Sequence, residues 1–147
     1  MSSYSRRKFI VLSGALGAIQ AFSSFKKDVS AGKLVNNMTD LEKIKKLLKQ
    51  ENPVIWLFTG DSITQGAKHT AGYRSYPEIF AERVRWEMPR RRDVIINTAI
   101  SGNVTENIIS DFQWRVEQFK PAVVSLMIGT NDAAYPAISP EAFETNL

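Results

Sequence analysis

The 147 residues are 44% hydrophobic, include one histidine and no cysteine, and carry a formal net charge of +4. One domain with a packed core fits that length and composition; wholesale disorder, a disulfide scaffold, a cysteine nucleophile and a thiolate or His-rich metal site do not. The charge is uneven, net +7 over residues 1–49 and −3 over residues 50–147, so the folded part offers no basic face to nucleic acid.

Residues 1–31 read as an export signal. Ser5-Arg6-Arg7-Lys8-Phe9-Ile10 gives a charged start, and Val11 to Ile19 a short, mildly apolar middle. The segment resembles the twin-arginine export signal, with Val11 where a lysine is usual, and Ala21 and Ala31 leave two cleavage points open. That resemblance implies export machinery as a partner and a periplasmic or secreted destination. No apolar run reaches the roughly 18 to 20 residues of a confident membrane span, so no stable span is expected. Residues 1–31 are therefore set apart from the fold, 32–52 read as an N-terminal helix and linker, and 53–147 as the domain proper.

Thr39 and Glu42 have capping-box spacing, and Leu41, Ile44, Leu47 and Leu48 recur at helical spacing while the lysines between them face water. Asn52-Pro53 ends this first helix. Val54 to Thr59 is a continuous apolar and β-branched run, the pattern of a strand buried on both faces. Ser75-Tyr76-Pro77-Glu78 opens a second helix with an inward stripe of Ile79, Phe80 and Val84, Trp86 being a further candidate. Pro89 stops it, and Arg90-Arg91-Arg92 reads as an exposed turn.

Val94-Ile95-Ile96-Asn97 is the second strand. Thr105 caps a third helix whose inward positions are Ile108, Ile109, Phe112, Val116 and Phe119, ended by Pro121. Ala122 to Ile128 is the third strand, and Ser139-Pro140-Glu141 starts a fourth helix. Strands alternating with helices predict an α/β fold: three layers, α/β/α, around a parallel sheet joined by right-handed crossovers. In such sheets ligands bind outside the carboxyl ends of the strands.

Three polar loops follow the three strands: Gly60-Asp61-Ser62-Ile63-Thr64-Gln65-Gly66, Thr98-Ala99-Ile100-Ser101-Gly102-Asn103 and Gly129-Thr130-Asn131-Asp132. Each begins where an apolar strand stops, so all three converge on one sheet edge. Hydroxyls, an amide, carboxylates and glycines gathered there suit a reaction site. Each motif alone is weak, and Gly-Asp-Ser by itself is common in turns.

Taken together, in this order and at these separations, they resemble the SGNH, or GDSL, hydrolase family. Gly60-Asp61-Ser62 is similar to its first block, Asn97 to Gly102 to its second, and Gly129-Thr130-Asn131-Asp132 to its third. The resemblance covers roughly Val54 to Leu147 and implies a flavodoxin-like sheet, here truncated after the third strand. It places Ser62 on the nucleophile, and Gly102 and Asn131 on the oxyanion hole. The family's Asp-x-x-His block, which supplies the general base and its acid, does not occur in this sequence. Those two residues stay unassigned, and the chain alone is expected to be inactive.

The implied activity is serine ester hydrolysis through an acyl-serine intermediate, with removal of acyl, often acetyl, groups from carbohydrate or small esters. No cofactor or metal is needed for it. Alternatives are a lysophospholipase or thioesterase of the same family, or a non-catalytic α/β binding or interaction module. The loop after the first strand lacks the lysine of a P-loop, which weighs against phosphate binding. Asp61 and Asp132 read as supports of their loops through local backbone hydrogen bonds. His69, seven residues after Ser62 with no evident carboxylate to orient it, reads as a loop residue; the roles of His69, Tyr73 and Arg74 toward substrate stay open.

Overall fold

The computed structural model describes residues 8–10, 38–134 and 138–147. Its centre is a sheet of four strands in the order β1 (Lys8–Ile10), β4 (Val123–Met127), β2 (Ile55–Gly60), β3 (Val94–Asn97). β2 (Ile55–Gly60), β3 (Val94–Asn97) and β4 (Val123–Met127) are mutually parallel across β2, with Ile55 opposite Val94 and Trp56 opposite Val123. The predicted strands are thus all present, with β2 in the middle, where its residues are buried on both faces.

Alternation along β2 feeds two cores. Trp56 and Phe58 point to one face, where they meet Val123, Ile44, Leu47 and Leu48 of α1 (Asp40–Leu48), and Tyr76 and Phe80 of α3 (Tyr76–Trp86). The aromatic contacts are edge-on: Trp56–Phe80 centroids lie 5.3 Å apart, Phe58–Phe80 5.1 Å and Phe58–Tyr76 5.7 Å, the arrangement ring quadrupoles favour. Leu57 and Val124 point to the other face and pack with Val116 and Phe119. Helices on both faces make the three layers expected.

Both predicted capping boxes close. The Glu42 carboxylate accepts from the Thr39 N–H at 2.7 Å, and Glu78 accepts from the N–H and hydroxyl of Ser75, each at 2.7 Å. These bonds hold both carboxyls below the usual range. α7 (Pro140–Thr145) starts on Ser139, whose hydroxyl accepts from the Ala142 N–H.

Four expectations need correction. Arg90 is not in an exposed turn; it is 9% exposed and forms a two-pronged pair with Asp93, at 2.6 and 2.9 Å. Its remaining N–H groups reach the carbonyls of Leu48, Gln50 and Asn52 just past α1. The reason is that a guanidinium has enough donors to terminate a helix and neutralise a carboxylate at once. Arg91 and Arg92 do stay exposed, Arg91 over the Trp86 ring.

The third helix is not continuous. It breaks into α4 (Thr105–Ser110), α5 (Phe112–Arg115) and a 3-10 turn at Glu117–Phe119, with Asp111 outside helical geometry at the first break. In consequence Ile108 and Val116 are buried while Ile109 and Phe112 are exposed. Thr105 is not its cap either: it is the first helical residue, and its side chain is bonded to Asp132 instead. In the other helices Leu41, Ile79 and Trp86 are also exposed, because short helices present only a narrow stripe inward.

β1 (Lys8–Ile10), within the segment set apart as an export signal, runs antiparallel along β4, with Lys8 opposite Leu126 and Ile10 opposite Val124. The rest of that segment, including both candidate cleavage points, lies outside the described residues. Among the described residues, no helix is long and apolar enough to cross a membrane.

Candidate active site

α3, after β2, packs on one face of the sheet, and Val116 and Phe119, just past α5 and after β3, cover the other. The chain therefore parts in two directions above the carboxyl ends, the situation in which α/β sheets form a crevice. Hydrogen bonds lace the three loops together there. The Asp61 N–H reaches the Met127 carbonyl and the Ile100 N–H reaches that of Gly60. Asn97 Nδ2 donates to the Thr64 carbonyl at 2.9 Å, and the Ser101 N–H to Gln65 Oε1 at 2.8 Å. The third loop joins through Asn131 Nδ2, bonded to the Asn103 carbonyl at 2.9 Å, and Asp132 Oδ1, which accepts from the Thr105 N–H and hydroxyl at 2.9 and 2.7 Å.

Gly60 makes the first loop possible. A Cβ there would lie 1.9 Å from the Met127 carbonyl oxygen, and its φ of +145° is a conformation side chains rarely adopt. The chain leaves β2 through it and enters α2 (Ser62–Gln65) at once, with Asp61 as cap: Asp61 Oδ1 accepts from the Ile63 N–H at 2.9 Å. Ser62 is the first residue of that turn and is half-buried.

Ile100 to Asn103 forms a second tight feature, a β-turn closed by the Asn103 N–H on the Ile100 carbonyl. Gly102, its third residue, has φ +82°, while Ser101 is not among the residues of positive φ. That combination is a type II turn, which requires glycine at this position. Among the described residues neither the Ser62 N–H nor the Gly102 N–H has an internal acceptor. Asn131 has two amide protons and commits one to Asn103. Three donors without a protein acceptor thus stand on three loops tied to one another.

Asp61 and Asp132 are 1% and 4% exposed. Asp61 bonds local backbone, the Ile63 N–H, as expected; Asp132 does not support its own loop in this way but reaches Thr105, 27 residues away, and so ties two segments together. Neither is bonded to the Ser62 hydroxyl. His69 lies on the 3-10 turn Ala67–Thr70, its side chain outside what is described. Tyr73 is 81% exposed, and Arg74 is ion-paired with Glu82 at the surface. No group of three or more metal-ligating side chains occurs among the described residues.

Residues the sequence left unmarked also build this edge. Arg115 is 1% exposed; it donates to the Thr98 carbonyl at 3.0 Å and to Asp111 at 2.9 Å. Its signal was there to see, since it shares a helical stripe with Ile108, Phe112 and Phe119, where a charge is out of place unless it has buried acceptors. Gln65 and Asn97, which join the first two loops, lie within the motifs already quoted, but no local pattern shows what their side chains bind.

Comparison with known proteins agrees with this geometry. An uncharacterized protein of Mycoplasma pneumoniae is 40% identical over 86 residues, 58% of this chain. The uncharacterized lipoprotein YqeF of Bacillus subtilis is 35% identical over 94 residues, 60% of this chain. The chain spans only 10% and 38% of those two proteins. A solved acetyl xylan esterase, AlAXEase, superposes with a TM-score of 0.52 at 27% identity over 63% of this chain and 48% of its own. The sequence pattern of one family matches residues 58–147, from the middle of β2 through all three loops. The chain accordingly belongs to the GDSL-like lipase/acylhydrolase family, a family of ester hydrolases.

Proposed function

We propose that the domain to which this chain contributes is a serine esterase working through an acyl-serine intermediate. The Ser62 hydroxyl attacks the ester carbonyl, the alkoxide leaves with a proton, and water resolves the acyl-enzyme. The carbonyl oxygen, negative in the tetrahedral intermediate, is received by the N–H groups of Ser62 and Gly102 and by the second amide proton of Asn131. Donors fixed in advance need no reorganisation as charge develops, and each contributes about 3 to 4 kcal/mol of barrier lowering.

The observation that carries this reading is the pair of uncommitted backbone donors, one on the half-buried serine and one in a turn bonded to that serine's helix, with the Asn131 amide bonded to the same turn. An oxyanion site must offer donors that the fold itself leaves free. A serine hydroxyl also needs a base, and no described carboxylate is bonded to Ser62, so the 147 residues alone are expected not to turn over.

The substrate we propose is an acyl, chiefly acetyl, ester of carbohydrate. The name of the solved relative supports it. Export through the arginine-rich leader is part of the same proposal, supported by residues 5–19 and by the name lipoprotein carried by the Bacillus relative. Hydrolysis of acetylated xylan and of p-nitrophenyl acetate by the whole protein tests it. Activity should vanish in Ser62→Ala, and a serine-reactive fluorophosphonate should label only the parent. Retained turnover in Ser62→Ala would refute the reading.

A further inference from the structure

We infer that Gln65 is a positioning residue that sets the Gly102 N–H against Ser62, an inference that rests on the esterase reading above. Gln65 ends the single helical turn that Ser62 begins, so the two side chains share one short, stiff element. Its Oε1 accepts the Ser101 N–H at 2.8 Å. Ser101 is the second residue of the type II turn, and Gly102, whose N–H points to no acceptor of the fold, is the third.

Two further anchors act at the ends of the turn. Ile100 is held by the Gly60 carbonyl, and Asn103 holds Asn131 through its own carbonyl. A turn pinned at its ends still rocks about the line joining them, and rocking swings the Ser101–Gly102 peptide. The Gln65 bond acts off that line, at the centre of the turn, and its other end is on the nucleophile's own helix. It therefore couples the direction of one oxyanion donor to the position of the attacking oxygen. The bond is at the surface, Gln65, Ser101 and Gly102 all being exposed, so it adds little to folding. Its value lies in geometry, to which rates are steeply sensitive: an ångström of misplacement can cost about a hundredfold.

The test compares Gln65→Ala and Gln65→Glu with the parent in the whole protein, using p-nitrophenyl acetate. Glutamate keeps an acceptor oxygen at the same reach; alanine does not. Gln65→Ala should lower kcat roughly ten- to a hundredfold, with KM within about twofold and an unchanged melting temperature, and Gln65→Glu should restore most of the rate at pH 8. In the 147-residue chain, Gln65→Ala should also speed exchange of the Ser101 amide proton and shift the Gly102 amide resonance. A parental kcat in Gln65→Ala, or an equal loss in Gln65→Glu, overturns the inference. Ser62→Ala run alongside separates the two readings: if it is dead and Gln65→Ala is parental, only the role of Gln65 falls. If Ser62→Ala turns over normally, the esterase reading falls and this inference with it.

Discussion

Asn131 can serve an oxyanion only because it has two amide protons and the fold takes one. The bond to the Asn103 carbonyl stops the side chain from rotating and leaves the second proton aimed by covalent geometry. Asn131→Ala in the whole protein should reduce kcat by about 10² to 10³ with little change in KM, the signature of an interaction made mainly in the transition state. Steady-state kinetics decide this, and an unchanged kcat would remove Asn131 from the site. Gly102 works by another route. Nothing lies within 4 Å of where its Cβ would be, so Gly102→Ala meets no clash; the cost comes from φ +82°. Alanine there should cost about 1 to 2 kcal/mol or flip the turn to type I, turning the N–H away. A fall in kcat larger than the fall in stability would distinguish the flip from simple destabilisation.

At the scale of elements, the amino-terminal end of the sheet is held by a buried ion pair. Asp93 accepts from the Val54 N–H, the Trp56 indole and Arg90, and Arg90 caps the chain leaving α1. Burial alone would push the Asp93 carboxyl up; the hydrogen bonds from Arg90, Trp56 and Val54, with the charge of Arg90, outweigh it and hold the group below the usual range. A depressed folded value means that the contribution is fully present above the unfolded value of about 3.9 and is lost as pH falls through the folded one. Melting temperature should accordingly be flat near neutrality and decline below about pH 4, and Asp93→Asn should flatten that decline. The same variant should lose about 3 to 5 kcal/mol in urea unfolding, because it strands a buried guanidinium. A loss under about 1 kcal/mol would put the value of Arg90 in its carbonyl contacts. How far these elements could be read from sequence follows from the same physics. β2, β3 and β4 were legible because each is an apolar run closed by glycine or polar residues, and α1, α3 and α7 because their caps are local. The break at Asp111 was not, since no glycine or proline marks it, and the contact that holds Arg115 inward, to the Thr98 carbonyl, is with a residue 17 positions away. Arg90 was hidden in the same way: nothing in Arg90-Arg91-Arg92 says which member meets Asp93 and the end of α1. In the candidate site, the loops that carry Ser62, Gly102 and Asn131 could be placed at one sheet edge because each follows a strand, while the bonds that tie them, through Gln65, Asn103 and Thr105, join residues 28 to 36 positions apart or 27 and carry no short-range pattern.

For the whole molecule the decisive feature is how the sheet ends. Among the described residues β3 lies at one margin, and at the other β4 is covered by β1. A central parallel sheet ordinarily has its margins covered, because an open row of N–H and carbonyl groups is a template for another chain. Residues 38–147 expressed without the N-terminal segment should therefore self-associate more than the full 147 residues at equal concentration. Light scattering behind a sizing column reads this out, and a monomer in both cases would show that β4 needs no cover. Three facing residue pairs make β1 a short cover for β4. Pulling residues 8–10 aside would bare the backbone of β4 from Val124 to Leu126. Were the front of this chain processed, the same cut would thus lay open a reactive border.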